Sequence, residues 1–311
     1  MRYKAFAAIL AAACLTLLAG CKQAAPLEPV VDTGPGDTMQ VNTIDYSAAP
    51  PAQRWYGNQG NLTSPLLESD ISGENPFYTE SEIKNLEHHS NIRILYDGHG
   101  KLSFSSLEGD CSLYTDESGE NPYLDAAPFI TEVAFDDTVK TLGSFTLRDI
   151  PNPITISVTP SLSGAVEPFT ASNTMVAGFT LTGESDTVKV IGNGLYVYSP
   201  DREGWELLKY ATANMATGFV LPSEIHVVYI HKFAFAGNQY LKDVDLSSSK
   251  DLTMGFGAFA DTNISRVVVH EEYNPDILYR NAGHTFDIYQ IGNKSFTAAD
   301  LGYAAVATAP Q

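Results

Sequence analysis

Apolar side chains recur along residues 130–270 in the order apolar-x-x-apolar-x-apolar. Clear copies are Ile130/Val133/Phe135, Val176/Phe179/Leu181, Leu241/Val244/Leu246 and Ile264/Val267/Val269, with looser ones at Pro153/Ile156/Val158 and Ala216/Phe219/Leu221. Their first positions lie 23, 23, 40, 25 and 23 residues apart. A second marker keeps the same register, since Phe145, Phe169, Phe235 and Phe259 are separated by 24, 66 and 24 residues. The last two apolar positions of each triplet are one residue apart, so a strand turns both to one face. The Phe follows half a turn later, on a return segment, and fills the interior from the other side. One such unit cannot bury its own apolar face, but stacked units share a continuous core and a parallel sheet. The pattern predicts a β-rich, irregular solenoid of stacked parallel strands with short return segments.

The 40-residue gap holds two strand-like runs, Gly194–Tyr198 and Trp205–Tyr210, around a Pro/Asp/Gly turn. They predict one inserted β-hairpin near 194–210, projecting from the solenoid. Ahead of the repeats, residues 66–129 read as an N-terminal cap or small irregular region. Ile92–Tyr96 and Leu102–Phe104 suit a strand pair across the turn Asp97-Gly98-His99-Gly100, and Thr79 or Ser81 suits the cap of a short helix. Residues 21–65 are rich in Pro, Gly and small side chains without apolar periodicity, the mark of a flexible tether. Beyond Val269 the period is lost, and residues 271–311 read as a C-terminal cap built on Ile277–Tyr279 and Phe286–Tyr289, then a loose Ala-rich tail.

Several of these segments resemble the BspA-like leucine-rich-repeat family. The run Ile130–Phe145 is similar to its repeat, as are Leu221-Pro222-Ser223-Glu224-Ile225, Ile230–Gly237 with Leu241–Leu246, and Gly257–Asp261 with Ile264–Val269. Val166-Glu167-Pro168-Phe169 and Ala216 depart from the pattern, which makes the middle coils irregular. The resemblance covers about 140 of the residues and leaves out the N-terminal third. It implies a leucine-rich-repeat solenoid in a bacterial cell-surface or envelope protein, in several cases an adhesin that binds host matrix proteins or other bacteria.

The first 20 residues carry Arg2 and Lys4, an apolar run and small residues before Cys21, which reads as an export signal. Leu18-Ala19-Gly20-Cys21 resembles the lipobox of bacterial lipoproteins, which makes Cys21 the lipidation site and a membrane anchor; the alternative is an ordinary cleaved signal. Lys22 is not the Asp that resembles an inner-membrane retention signal, so an outer-membrane, surface-exposed lipoprotein is expected. Loss of Arg2 and Lys4 takes the formal charge from −19 to −21, a balance that repels phosphate backbones and argues against a nucleic-acid partner. With Cys14 in the signal and Cys21 lipidated, Cys111 is left without a disulfide partner, so a packed core must supply the stability.

Candidate chemistry is sparse. Between the apolar anchors, Glu132, Ala134, Ser157, Thr180, Asp243, Asp245, Arg266 and Val268 are free to face a ligand, as a protein-contact row or a solvated sheet face. Tyr196, Tyr198, Trp205 and Tyr210 gather in the hairpin, where exposed rings would stack on a sugar or anchor a protein, and packed rings would not. Ser72–Pro76 and Ser118–Pro122 repeat Ser-Gly-Glu-Asn-Pro without calcium-loop spacing and read as solvated turns. The histidines make no His-Glu-x-x-His; His226, His231 and His270 would meet only through a particular stacking of coils. Neither a Gly-x-Ser-x-Gly elbow nor a dinucleotide fingerprint is present, so neither metal, cofactor nor enzyme activity is expected. The expected function is protein recognition, as adhesion at the bacterial surface; the alternative is a glycan-binding or envelope-assembly component.

Overall fold

A computed structural model describes residues 44–49, 54–57, 66–67, 92–106, 111–112, 123–142, 147, 149–165 and 175–303. Its first half holds β1 (Arg54–Gly57), β2 (Leu66–Leu67), β3 (Ile92–Tyr96), β4 (Lys101–Ser106), β5 (Cys111–Ser112), β6 (Glu132–Phe135), β7 (Val139–Leu142), β8 (Ile154–Val158), β9 (Gly164–Ala165) and β10 (Val176–Leu181). Its second half holds β11 (Val188–Ile191), β12 (Gly194–Ser199), β13 (Gly204–Tyr210), β14 (Gly218–Val220), β15 (Val227–Ile230) and β16 (Asp243–Asp245). Then come β17 (Thr253–Met254), β18 (Arg266–Val269), helix α1 (Pro275–Asn281), β19 (Ile288–Ile291) and β20 (Lys294–Thr297).

These elements form a β-solenoid of about six turns with almost no helix. Triplet strands stack in parallel as β4-β6-β8-β10 in one sheet and β14-β16-β18-β19 in another. Return strands stack opposite them, as β5-β7-β9 and β13-β15-β17. The cause is visible in β8, where Ile154, Ile156 and Val158 are buried and Thr155 and Ser157 turn outward. Each buried aliphatic or aromatic side chain contributes about 1.5–3 kcal/mol, so a triplet plus its return-side Phe outweighs the ordering of a short coil only when the next coil covers it.

Along the second half the return-side rings form a column, one per coil. Tyr210 stacks on Phe235 at 5.2 Å and Phe235 on Phe259 at 4.8 Å; Phe286, which opens the last triplet on the strand side, closes the column edge-on to Phe259 at 5.6 Å. Phe145 and Phe169, the corresponding markers of the first half, lie outside the described residues. Polar turn groups keep the period too. Asn238 Oδ1 accepts the N–H groups of Tyr240 and Leu241, Asn214 Oδ1 accepts that of Ala216, and the Thr262 hydroxyl donates to Phe259 O.

Four expectations need correction. The parallel ladder is longer than residues 130–270, because β4 pairs with β6 and β19 with β18. Phe286/Tyr289/Ile291 is in fact another triplet, with Phe286 and Tyr289 fully buried, so this stretch builds a coil as well as a cap. The tether expected over 21–65 does not extend through 44–49 and 54–57, and residues 21–43 lie outside the described residues. Residues 44–49 form a turn capped by Asp45, whose Oδ1 accepts Ser47 N–H, and Tyr46 packs 6.3 Å from Phe129. Strand β1 then pairs antiparallel with β3, satisfying a sheet edge that would otherwise stay open. The hairpin β12/β13 also does not project. Leu195, Val197 and Leu208 belong to the core of the first half, whereas Tyr196, Trp205, Leu207 and Tyr210 belong to that of the second. β13 is itself the first return strand of the second half, and the segment after it donates Ala213 N–H to Val176 O at 2.8 Å. The insertion is a septum between two cores.

Past β18, Asn274 caps α1 by accepting Asp276 N–H at 3.0 Å, with Pro275 in the first turn. Tyr303 stacks on Tyr279 at 4.3 Å and donates to Asp276 Oδ1 at 2.8 Å. The tail from residue 304 lies outside the described residues, as do the helix expected near Thr79, both Ser-Gly-Glu-Asn-Pro copies and Cys21. Among the described residues no helix is long and apolar enough to cross a membrane.

Candidate functional site

Alternation along the triplet strands creates two outward rows on each parallel sheet. On the first sheet they read Lys101, Glu132, Thr155, Gly178 and Ser103, Ala134, Ser157, Thr180. On the second they read Gly218, Asp243, Arg266, Ile288 and Val220, Asp245, Val268, Gln290. Register neighbours in a ladder stand about 4.8 Å apart, close enough for direct side-chain pairing.

That pairing is what these side chains do. Lys101 Nζ meets Glu132 Oε1 at 2.8 Å, Arg266 Nε donates to Asp243 Oδ1 at 2.7 Å, and the Ser157 and Thr180 hydroxyls lie 2.7 Å apart. Asp245 Oδ1 accepts Ser247 N–H at 2.9 Å. The expected ligand row is thus divided. Glu132, Ser157 and Thr180 share the first sheet, Asp243, Asp245 and Arg266 share the second, and β10 and β14 are not paired with one another. Val268 faces outward in register yet is only 5% exposed, flanked by Asp245 and Gln290, so it is not free to meet a ligand.

The aromatic platform does not form. Tyr196, Trp205 and Tyr210 are buried in the second core, because β12 and β13 are covered on both faces. Tyr198 is partly buried, with Trp205 edge-on at 5.7 Å. Rings held this way cannot stack on a sugar.

A cluster that residue types alone did not single out lies on the return side. His231 Nε2 donates to Glu206 Oε2 at 2.6 Å, and Arg202 Nε donates to Glu206 Oε1 at 2.9 Å. The Arg202 guanidinium also sits 4.1 Å from the centre of the Tyr229 ring, whose edge meets His231 at 5.0 Å. Burial pushes the Glu206 carboxyl up, but hydrogen bonds from His231 and Ser199 and the charges of His231 and Arg202 outweigh it and hold the group below the usual carboxylate range. Glu206 and His231 are 25 residues apart, one coil, and that spacing was the available signal. His270, expected to join His231 only through a particular stacking of coils, instead accepts Glu272 N–H at its Nδ1 at 3.2 Å, and His284 bonds Ile264 O at 2.6 Å. Among the described residues no three His, Cys, Asp or Glu side chains converge as a metal site would require.

No family model matches the chain, and no curated protein matches it. Solved structures similar to it include a leucine-rich repeat protein from Eubacterium ventriosum, at 12% identity over 64% of this chain and 79% of that one, with a TM-score of 0.23. The pneumococcal vaccine antigen PcpA is 13% identical over 59% and 70%, with a TM-score of 0.33. A leucine rich cell surface protein from Faecalibacterium prausnitzii is 10% identical over 71% and 97%, with a TM-score of 0.22. At such scores the solenoid rests on its own strand pairing.

Proposed function

We propose that the chain is a lipid-anchored envelope protein whose outward strand rows bind a protein partner at the bacterial surface. The observation that carries this reading is the rows themselves, which present side chains from consecutive coils on a scaffold fixed by a continuous core. Their charges are paired along the ladder, Lys101 with Glu132 and Arg266 with Asp243, which favours fixed polar complementarity over long-range attraction. The lipobox resemblance at Cys21 supports anchoring, and Lys22 supports outer-membrane placement. Burial of Tyr196, Trp205 and Tyr210 weighs against a sugar held by aromatic stacking.

Protease shaving of intact cells, with lysed cells as control, tests the placement. Loss of the protein from intact cells is expected; protection there, with digestion after lysis, would replace adhesion by an envelope-internal partner. Cys21→Ala should abolish incorporation of labelled palmitate. Ser157→Arg and Asp245→Arg each put a long cation on an outward row and should abolish adhesion to immobilised host matrix proteins. Adhesion retained by both would move the contact off these rows.

A further inference from the structure

A lysine in a β-solenoid core is costly unless its ammonium is paired. Lys209 lies on β13 in the septum, only 2% exposed, and its hydrogen bond among the described residues is from Nζ to Phe233 O at 2.9 Å. An ammonium has three donors, so one carbonyl leaves most of its charge unsolvated. The acceptor is itself unusual. Phe233 occupies the left-handed region at φ 56, a conformation that costs a non-glycine residue about 1 kcal/mol or more, and its carbonyl also accepts Ala236 N–H. One coil later the same position is Gly257, at φ 70.

The segment that carries Phe233 is anchored on either side. At its start His231 bonds Glu206, and further along Phe235 N–H donates to Ala258 O at 2.8 Å and Gly237 N–H to Ala260 O at 3.0 Å. The other titratable groups on elements bonded to β13 are engaged elsewhere. Glu206 is held by Arg202 and His231, Lys189 lies over Trp205, Tyr229 lies under Arg202, Tyr196 and Tyr210 are packed in the second core, and Lys232 is exposed.

We propose that Lys209 and the 231–237 turn form a pH-gated latch, closed over the neutral amine and opened by its protonation. Burial lowers the Lys209 amine from 10.5 to about 7, so the closed state binds fewer protons than an open state with a hydrated lysine. The sign follows from linkage: opening becomes easier as pH falls from about 10.5 to about 7, and below that both states are protonated and the dependence stops. An envelope protein meets the pH of its surroundings directly, which gives such a latch something to sense.

Hydrogen exchange of the purified full chain tests this, read at Ala236, whose N–H shares the Phe233 carbonyl with Lys209. After correction for intrinsic exchange, protection should fall about tenfold per pH unit from about 10 to about 7 and then level off. Leu246, bonded to Val268 O in the ladder, should show no such slope. In Lys209→Met the slope at Ala236 should vanish. A flat wild-type profile, or an unchanged slope in the variant, would overturn the proposal. Should Lys209→Met fail to fold, NMR of the wild-type Lys209 Cε is read beside Ala236 exchange. A midpoint near 7 that coincides with the pH at which the Ala236 slope levels off supports the latch, and a midpoint near 10.5, or one unrelated to that slope, overturns it.

Discussion

The aromatic column makes a quantitative prediction about Phe235. This fully buried side chain has three ring partners: Tyr210 at 5.2 Å and Phe259 at 4.8 Å, both stacked, and Phe219 edge-on at 4.9 Å. Phe235→Leu keeps an apolar group of related size and removes all three ring pairs. At about 0.5–1.5 kcal/mol per pair, and with partial repacking, the variant should lose about 2–3 kcal/mol. Urea unfolding followed by circular dichroism gives the loss from the shift in midpoint. A double-mutant cycle locates it: Phe235→Leu with Phe259→Leu should couple by about 0.5–1.5 kcal/mol. Phe104 belongs to the other core, so Phe235→Leu with Phe104→Leu should be additive within about 0.5 kcal/mol. A loss below about 0.5 kcal/mol, or coupling to Phe104 as strong as to Phe259, would refute a column that stabilises the second half coil by coil.

Three further expectations concern smaller groups. Glu206 is held below its ordinary value, so its stabilisation is present above about pH 4.5 and lost as pH falls; Glu206→Gln should flatten the acid side of the urea-midpoint profile. A Cβ at Gly257 would lie 2.6 Å from Phe233 Cε1, whereas one at Gly237 meets nothing within 4 Å, and both residues have positive φ. Gly237→Ala should therefore cost about 1 kcal/mol of backbone strain and Gly257→Ala distinctly more; equal losses in thermal melts would deny the close approach. The Lys101–Glu132 pair is about two-fifths exposed, so a double-mutant cycle should give no more than about 1 kcal/mol and shrink with salt; a larger, salt-insensitive coupling would contradict its surface character.

The coils were legible because their interior admits little else. Ile130/Val133/Phe135 and Leu241/Val244/Leu246 occupy positions where a polar side chain would be stranded in the core, so the apolar spacing survives in each copy. Leu102–Phe104 reads as a strand paired with Ile92–Tyr96, as it is. Its place as the first ladder strand was hidden because His99 stands where a triplet should open and Leu102 precedes Val133 by 31 residues in place of 23. The last coil was hidden by a different cause. Phe286/Tyr289/Ile291 keeps the spacing, but Asn274-Pro275 starts a helix just before it and interrupts the expected return. Lys209 and the Glu206–His231 pair could not be found from residue types, since lysine and glutamate are read as surface groups until coil register places them. Alternation between the apolar anchors places Glu132, Ser157, Thr180, Asp243, Asp245 and Arg266 on strands, while their division between two sheets depends on where the insertion goes.

The insertion explains that division. Gly194–Tyr198 is a run of small and apolar residues without polar alternation, which suits a strand covered on both sides and not a hairpin in water. Once β12 and β13 are covered on both sides, the parallel ladder cannot pass through them, and β10 and β14 end as separate sheets. How the two pairs of outward rows sit relative to each other is then set by septum packing: Leu195, Val197 and Leu208 against one core, Tyr196, Leu207 and Tyr210 against the other. Lys209 lies between the last two residues of β13 that take opposite sides. A charge on its amine therefore strains the element on which both halves are built, and a partner that contacted both pairs of rows would meet a geometry governed from inside the septum.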